Sequence, residues 1–198
     1  MDTKIKKLIF FLVTIHTGII TLSNTLVSIP LIFYGYKITW AAFSFPFVVV
    51  ATDLTVRLLG KSIAQKTISY SYPLAIISSI IILYIEGNLI SVATRIGMAS
   101  ASAYALSVLI DIHAFQFIRK RYSSWWLAPA LSTVISNIID SYVFFSVAFL
   151  KSADEYMALN WIEIAGTQTV LKIIIGLIFF LPAYGILLNF LLKRLTNS

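Results

Sequence analysis

Six ionisable side chains stand where a hydrocarbon environment should exclude them: Asp53, Arg57, Arg95, Asp111, Asp140 and Lys172 each fall inside a run of apolar residues. At the centre of a bilayer each such charge costs about 2.5–3.5 kcal/mol on insertion scales unless it is paired. Three are acids and three are bases, so mutual pairing would leave the interior neutral. Asn24, Asn137 and His113 add polar groups to the same runs. A chain that only had to sit in a membrane would not carry this set, and it predicts a polar cavity between helices. Asp53 and Arg57, four residues apart, have the spacing of an intrahelical pair. Arg57 and Arg95, near the ends of their runs, could also reach the interface by snorkelling, and the same alternative holds for Lys172. Asp111 and His113 stand two apart and do not share a helix face. Asn137 and Asp140 are the sharpest pair: three apart, they lie near the middle of their run, where snorkelling cannot relieve Asp140. Thr133, Ser136 and Ser141 extend that polar stripe, whose bland alternative is interhelical hydrogen bonding.

Other chemistries fail on the residues available. Without cysteine, thiolate catalysis and cysteine-ligated metals are excluded. Gly60-Lys61-Ser62 imitates the end of a phosphate-binding loop, but Thr55 stands where its first glycine belongs, and a helix precedes it instead of a strand. Two histidines, His16 and His113, are too few for a metalloprotease centre, so neither a metal nor another cofactor is expected. Ser100, in Gly97-Met98-Ala99-Ser100, lies on the same helix as His113, about 20 Å away at 1.5 Å per residue, which defeats an intramembrane serine protease. Gly97, Ala101 and Ala105, spaced by four, predict close helix–helix packing instead.

The elements that must position these residues follow from hydropathy. Of 198 residues 59% are hydrophobic and only 12% charged, half the charged share of a soluble domain. The apolar runs approach the roughly 20 residues that cross a core about 30 Å thick. They predict an all-α membrane protein, a single domain of six transmembrane helices at about 8–29, 39–59, 69–85, 92–118, 127–150 and 166–192. The first run is too long for the apolar region of a signal peptide and is read as a retained span. The connectors are Pro30–Ile38, Gly60–Ile68, Glu86–Ser91, Arg119–Trp126 and Lys151–Ala165. In the last, Ser152 and Glu155 form an S-x-x-E capping box, and Met157 and Trp161 share a face, predicting a short helix in the interface.

Charge placement orients the bundle. Lys4, Lys6, Lys7, Lys61, Lys66, Arg119, Lys120, Arg121, Lys193 and Arg194 fall on one side, against Lys37 and Lys151 on the other. This bias places both termini in the cytoplasm. It also accounts for the net charge of +7 without a nucleic-acid partner. Helices 1–3 and 4–6 would then have opposite topology, as in a 3+3 inverted repeat, with Ser23-Asn24 faintly echoed by Ser136-Asn137.

Five blocks in register carry a family resemblance: Ser44-Phe45-Pro46-Phe47 leading to Thr52-Asp53-Leu54-Thr55-Val56-Arg57; Leu109-Ile110-Asp111-Ile112-His113; Trp125-Trp126-Leu127-Ala128-Pro129; Ser136-Asn137 with Asp140; and Phe180-Leu181-Pro182-Ala183-Tyr184-Gly185, running on to Leu191-Leu192-Lys193-Arg194-Leu195. Together they resemble the bacterial queuosine precursor transporters, of the vitamin uptake transporter type. The resemblance implies a six-helix inner-membrane importer of a small deazapurine, 7-cyano-7-deazaguanine or its 7-aminomethyl analogue. A guanine-like edge presents N–H donors beside a carbonyl, which an aspartate and an asparagine amide complement. On this reading Asn137, Asp140, Asp53, Asp111, Asn24 and Phe45 are candidates for cargo binding. Arg57, Arg95, Lys172 and His113 are candidates for gating or charge pairing. Phe47, Tyr104, Phe144 and Phe145 are further rings that could stack. The partners implied are the cargo and the lipid bilayer, and self-association stays open. The expected mechanism is secondary, with alternating access to a midplane site. The alternative is a substrate-binding membrane subunit of an ATP-driven uptake system. Such subunits dock through alanine-rich motifs on the first helix, and helix 1 here has no alanine.

Overall fold

In the computed structural model, residues 3–27, 30–33 and 36–196 are described. The elements are α1 (Thr3–Val27), β1 (Pro30–Phe33), β2 (Tyr36–Thr39), α2 (Ala41–Leu59), α3 (Lys61–Ile85), α4 (Ile90–Arg121), α5 (Leu127–Phe149), α6 (Glu155–Ile175) and α7 (Leu181–Thr196). A π-helical turn at Gly176–Phe180 joins α6 to α7. Five helical stretches are long and apolar enough, over their described residues, to cross a bilayer: Ile5–Ser23, Lys61–Ile85, Ile90–Arg121, Leu127–Phe149 and Glu155–Lys193. Helices suit that environment because they satisfy their own backbone groups. Large apolar side chains such as Phe10, Ile85, Phe117, Phe179 and Ile186 are exposed on the outside, where lipid would cover them.

Three boundaries depart from the hydropathy reading. The stretch 60–68, expected as a connector, is helical from Lys61, so a single residue, Gly60 at φ 92°, turns α2 into α3. Ala64, Thr67 and Ile68 face inward on this extension while Lys61 and Lys66 carry its charge. Hydropathy marks where hydrocarbon lies, not where a helix begins. The expected separate interfacial helix within 151–165 is instead the first part of α6. Its N-cap is Asp154, whose side chain accepts from the Met157 backbone N–H at 3.0 Å, not Ser152. The connector 30–38 contains an antiparallel hairpin with Pro30 opposite Thr39 and Phe33 opposite Tyr36. Its Leu, Ile, Phe and Tyr content favours strand, and Pro30 takes the strand's first position.

The interior is organised around α2, which touches every other helix, while α4 packs along α3 and α5. Val48 and Val56 of α2, Ile68 and Ala75 of α3, Val108, Ile112 and Phe115 of α4 and Tyr184 of α7 share one buried cluster. The predicted small-residue contact is present: a Cβ on Gly97 would stand 2.7 Å from Ile80 Cγ1 and 3.1 Å from the Ile80 backbone nitrogen. The backbones of α3 and α4 therefore approach closely there.

Candidate functional site

Asp53 is buried on the inward face of α2. Its carboxyl group meets that of Asp111, buried on α4, within hydrogen-bonding contact. Among the described residues no well-aligned donor reaches Asp53 Oδ1 or either oxygen of Asp111, although the Ser132 hydroxyl approaches Asp111. The expected Asp53–Arg57 pair does not form, whereas Asp140 pairs with Lys172. Arg57 extends away from Asp53, its Nη1 donating to the Trp125 carbonyl and to Tyr184 Oη, both at 3.4 Å. Spacing of four puts two side chains on one helix face, but neighbouring helices decide where they point.

Asp53 also borders a cavity between α2, α5 and the α6–α7 junction. Val49 and Val50 flank it on α2, Pro129 and Thr133 close it from α5, and Gly176, Phe180, Leu181 and Tyr184 close it from the junction. Its volume is about 10 Å³, room for about one water, so any larger molecule could enter only if the helices part. The π turn breaks the regular helix beside this cavity. Pro182 has no N–H to donate to Ile178, and its ring would crowd that carbonyl in a regular helix. The Leu181 N–H reaches back to the Gly176 carbonyl instead, widening the helix beside the cavity. Such bulges recur at functional sites.

Farther along α5, Asn137 is buried and donates through Nδ2 to the Thr133 carbonyl at 2.8 Å. Its Oδ1 is buried without a donor. Asp140, one turn on, accepts from Lys172 Nζ of α6 at 2.8 Å, and the same Nζ lies 3.4 Å from Ser141 Oγ. Lys172 is therefore turned inward and does not snorkel. Asn137 and Asp140 do line one face, but Asp140 is engaged by a cation and is not one of the cavity's wall residues.

The remaining candidates separate from the site. Arg95 donates through Nε to the Val147 carbonyl at 3.2 Å and through Nη2 to that of Leu150. It thus caps the C-terminal end of α5, where free carbonyls and the helix dipole favour a cation. His113 is exposed, with Nδ1 2.7 Å from the carbonyl of Leu109 on its own helix, so it has no place in the interior. The side chains of Asn24 and Phe45 lie outside the described residues. Phe47 meets Phe180 edge-on at 4.7 Å between ring centroids. Tyr104 holds the buried His16, with Nδ1 to Oη 3.1 Å, away from the wall residues.

Tyr184, Phe180 and Gly176 belong to the cavity although residue chemistry alone did not single them out, and Thr133, expected only as part of the Asn137–Asp140 polar stripe, lines it as well. The available signal was Pro182 in the middle of a long apolar run, since interrupted membrane helices often line binding sites.

The family described as "Putative vitamin uptake transporter" matches residues 39–187, a stretch that holds every wall residue of the cavity. The chain is 40% identical to the "Queuosine precursor transporter" of Escherichia coli (strain K12) over 212 residues, covering 100% of this chain and 94% of that protein. It is 34% identical to the "Probable queuosine precursor transporter" of Haemophilus influenzae over 217 residues, covering 98% and 92%. A Bacillus subtilis protein with the latter name is 30% identical over 94 residues, 46% of this chain and 40% of its own. No solved structure matches the chain. A family of transporters, not enzymes, is what these matches share, and this membrane protein belongs to it: the queuosine precursor transporters of the vitamin uptake type.

Proposed function

We propose that this protein imports a queuosine precursor, 7-cyano-7-deazaguanine or its 7-aminomethyl analogue, across the cytoplasmic membrane as a secondary carrier. The observation that carries the reading is identity of 40% along the whole chain with a transporter of that name. In this reading the 198 residues form one domain of six spans, α2 joining the five long apolar stretches as the sixth, with both termini cytoplasmic, as the positive residues favour. The cavity is the part of the cargo path nearest an uncompensated acid. A carboxylate at Asp53 would accept the ring N–H and exocyclic amine of the base, and Phe180 and Tyr184 would offer ring faces or edges. Asn137, one turn from the wall residue Thr133, would turn its free Oδ1 or its amide to the base as the cavity opens. The Asp140–Lys172 pair would then act as a strut between α5 and α6, holding the bundle together while the junction moves.

The test is uptake of labelled 7-cyano-7-deazaguanine by cells that cannot make the base and express this chain alone. Accumulation of label in transfer RNA is the expected result. Binding by the purified chain without uptake would favour the ATP-driven alternative, and neither binding nor uptake would overturn the cargo assignment.

A further inference from the structure

Two carboxyl groups in hydrogen-bonding contact need a proton between them, because an ionised carboxylate is an acceptor only. Asp53 and Asp111 are in such contact, and among the described residues no aligned donor satisfies Asp53 Oδ1 or either oxygen of Asp111. Nor does a cation among the described residues compensate them. Arg57, on the same helix as Asp53, is directed to Trp125 and Tyr184, and Arg119 of α4 reaches the Arg57 carbonyl at 3.1 Å. His16 of α1 is held by Tyr104, beside which α3 places Ser71. Lys172 of α6 is held by Asp140. Tyr184 of α7 lies within electrostatic reach of Asp53, and the Ser132 hydroxyl of α5 is in hydrogen-bonding contact with Asp111 as Asp53 is, a neutral donor that brings no charge to the pair. Like charges in contact and out of water do not both persist. The two acids are also unequal in position, since Asp53 borders the cavity and Asp111 is not one of its wall residues.

We propose that Asp53 and Asp111 share one proton through a carboxyl–carboxylate hydrogen bond, and that cargo at Asp53 localises this proton on Asp111. Two N–H donors arriving from the cavity need an ionised Asp53. The proton passes to an Asp111 oxygen, and Asp111 then donates back to Asp53, fixing its orientation. The charge of the pair is unchanged. Asp111 is thus a positioning residue, and the protonated acid is the form that works. The inference rests on the cavity being the cargo site.

An asparagine amide can donate as a protonated Asp111 does, so Asp111→Asn should bind 7-cyano-7-deazaguanine within a few-fold of the wild type at neutral pH. Asp111→Leu, with no donor, should bind weakly. Wild-type affinity should fall with rising pH, approaching about tenfold per unit once the shared proton is lost, while Asp111→Asn stays flat. Ionisation of the cargo itself would affect both proteins equally and drops out of the comparison. Infrared spectra of the purified proteins at neutral pH give a readout independent of cargo. A protonated-carboxyl band present in the wild type and lost in Asp111→Asn is expected, and its absence from the wild type would overturn the proposal. Parallel pH profiles for the two proteins would overturn it as well. Absence of cargo binding by the wild type would refute the cargo assignment, leaving the infrared band to decide on the shared proton.

Discussion

Asp140 and Asp53 are both aspartates buried inside membrane helices, and they differ in what faces them. Asp140 meets the ammonium of Lys172 from the next helix at 2.8 Å, while Asp53 meets another acid. The first arrangement offsets the desolvation of each charge with the other, and it ties α5 to α6. The second leaves carboxyl oxygens without donors beside a cavity and beside a break in the helical pattern. Buried charge in this bundle therefore takes two forms, one that holds helices together and one that leaves hydrogen-bonding capacity unused. Only the second has capacity left for a ligand.

The largest effect that tests this contrast is expected at Lys172. Lys172→Met leaves Asp140 buried without its cation, which costs about 3–5 kcal/mol when one member of a buried pair is removed. Thermal unfolding in detergent should show a marked loss, and the double variant Lys172→Met with Asp140→Leu should recover most of it. At the other acid the sign should reverse. Asp111→Asn keeps an N–H donor facing Asp53 and leaves the single negative charge of the pair unchanged, so it should unfold no earlier than the wild type. A large destabilisation there would mean that the carboxyl pair is a structural bond like the ion pair, and the contrast would collapse.

Next in size is the loss of function at Asp53. Asp53→Asn keeps the shape but offers one acceptor oxygen and an NH₂ where two N–H donors arrive. Removing such a charge-assisted contact in a dry site costs about 2–5 kcal/mol, or roughly 30-fold to several-thousand-fold in affinity. Uptake should fall accordingly, with insertion and unfolding temperature nearly unchanged. Normal uptake would remove Asp53 from the cargo path.

Gly176 joins the two regions, one turn beyond Lys172 and on the cavity wall. A Cβ there would stand 2.9 Å from Thr133 Cγ2, and overpacking of this kind costs about 1–3 kcal/mol. Gly176→Ala should reduce both stability and cargo binding, and adding Thr133→Ser, which removes the opposing methyl, should restore both. No rescue by the second change would mean that the damage arises in the π turn itself.

Much of this was legible in the sequence, for reasons that also explain the rest. Composition and run length gave the helices, because the cost of unpaired backbone in lipid leaves few alternatives. The small-residue stripe gave a close helix–helix contact at Gly97, because a missing side chain is itself the geometry, but not its partner, which the structure shows to be α3. Asp53 and Asp111 stood out because an acid in an apolar run is conspicuous wherever it points. Their mutual contact did not, since two residues 58 positions apart on different helices are related only by packing. The supposed Asp53–Arg57 pair failed for the complementary reason: spacing proposes a neighbour, and the carbonyls and hydroxyls of other helices outcompete it. Helix ends were misplaced where polar helical turns at 61–68 and 155–165 leave the apolar run.

The smallest expected effect concerns Arg95, which a count of intramembrane charges would rank beside Lys172. Its guanidinium meets no acid among the described residues and instead donates to the carbonyls of Val147 and Leu150 at the end of α5. A cation at a helix C-terminus is worth about 0.3–1 kcal/mol, well below the value of a buried ion pair. Arg95→Gln should therefore lower the unfolding temperature only slightly. Arg95→Lys should recover part of the loss, since it restores charge but not the fork that serves two carbonyls. Uptake should stay at the wild-type level in both variants, because the contact is with the end of α5 and not with the cavity wall. A loss of stability as large as that of Lys172→Met would show that Arg95 neutralises a buried charge, and the distinction between capping and pairing would have to be redrawn.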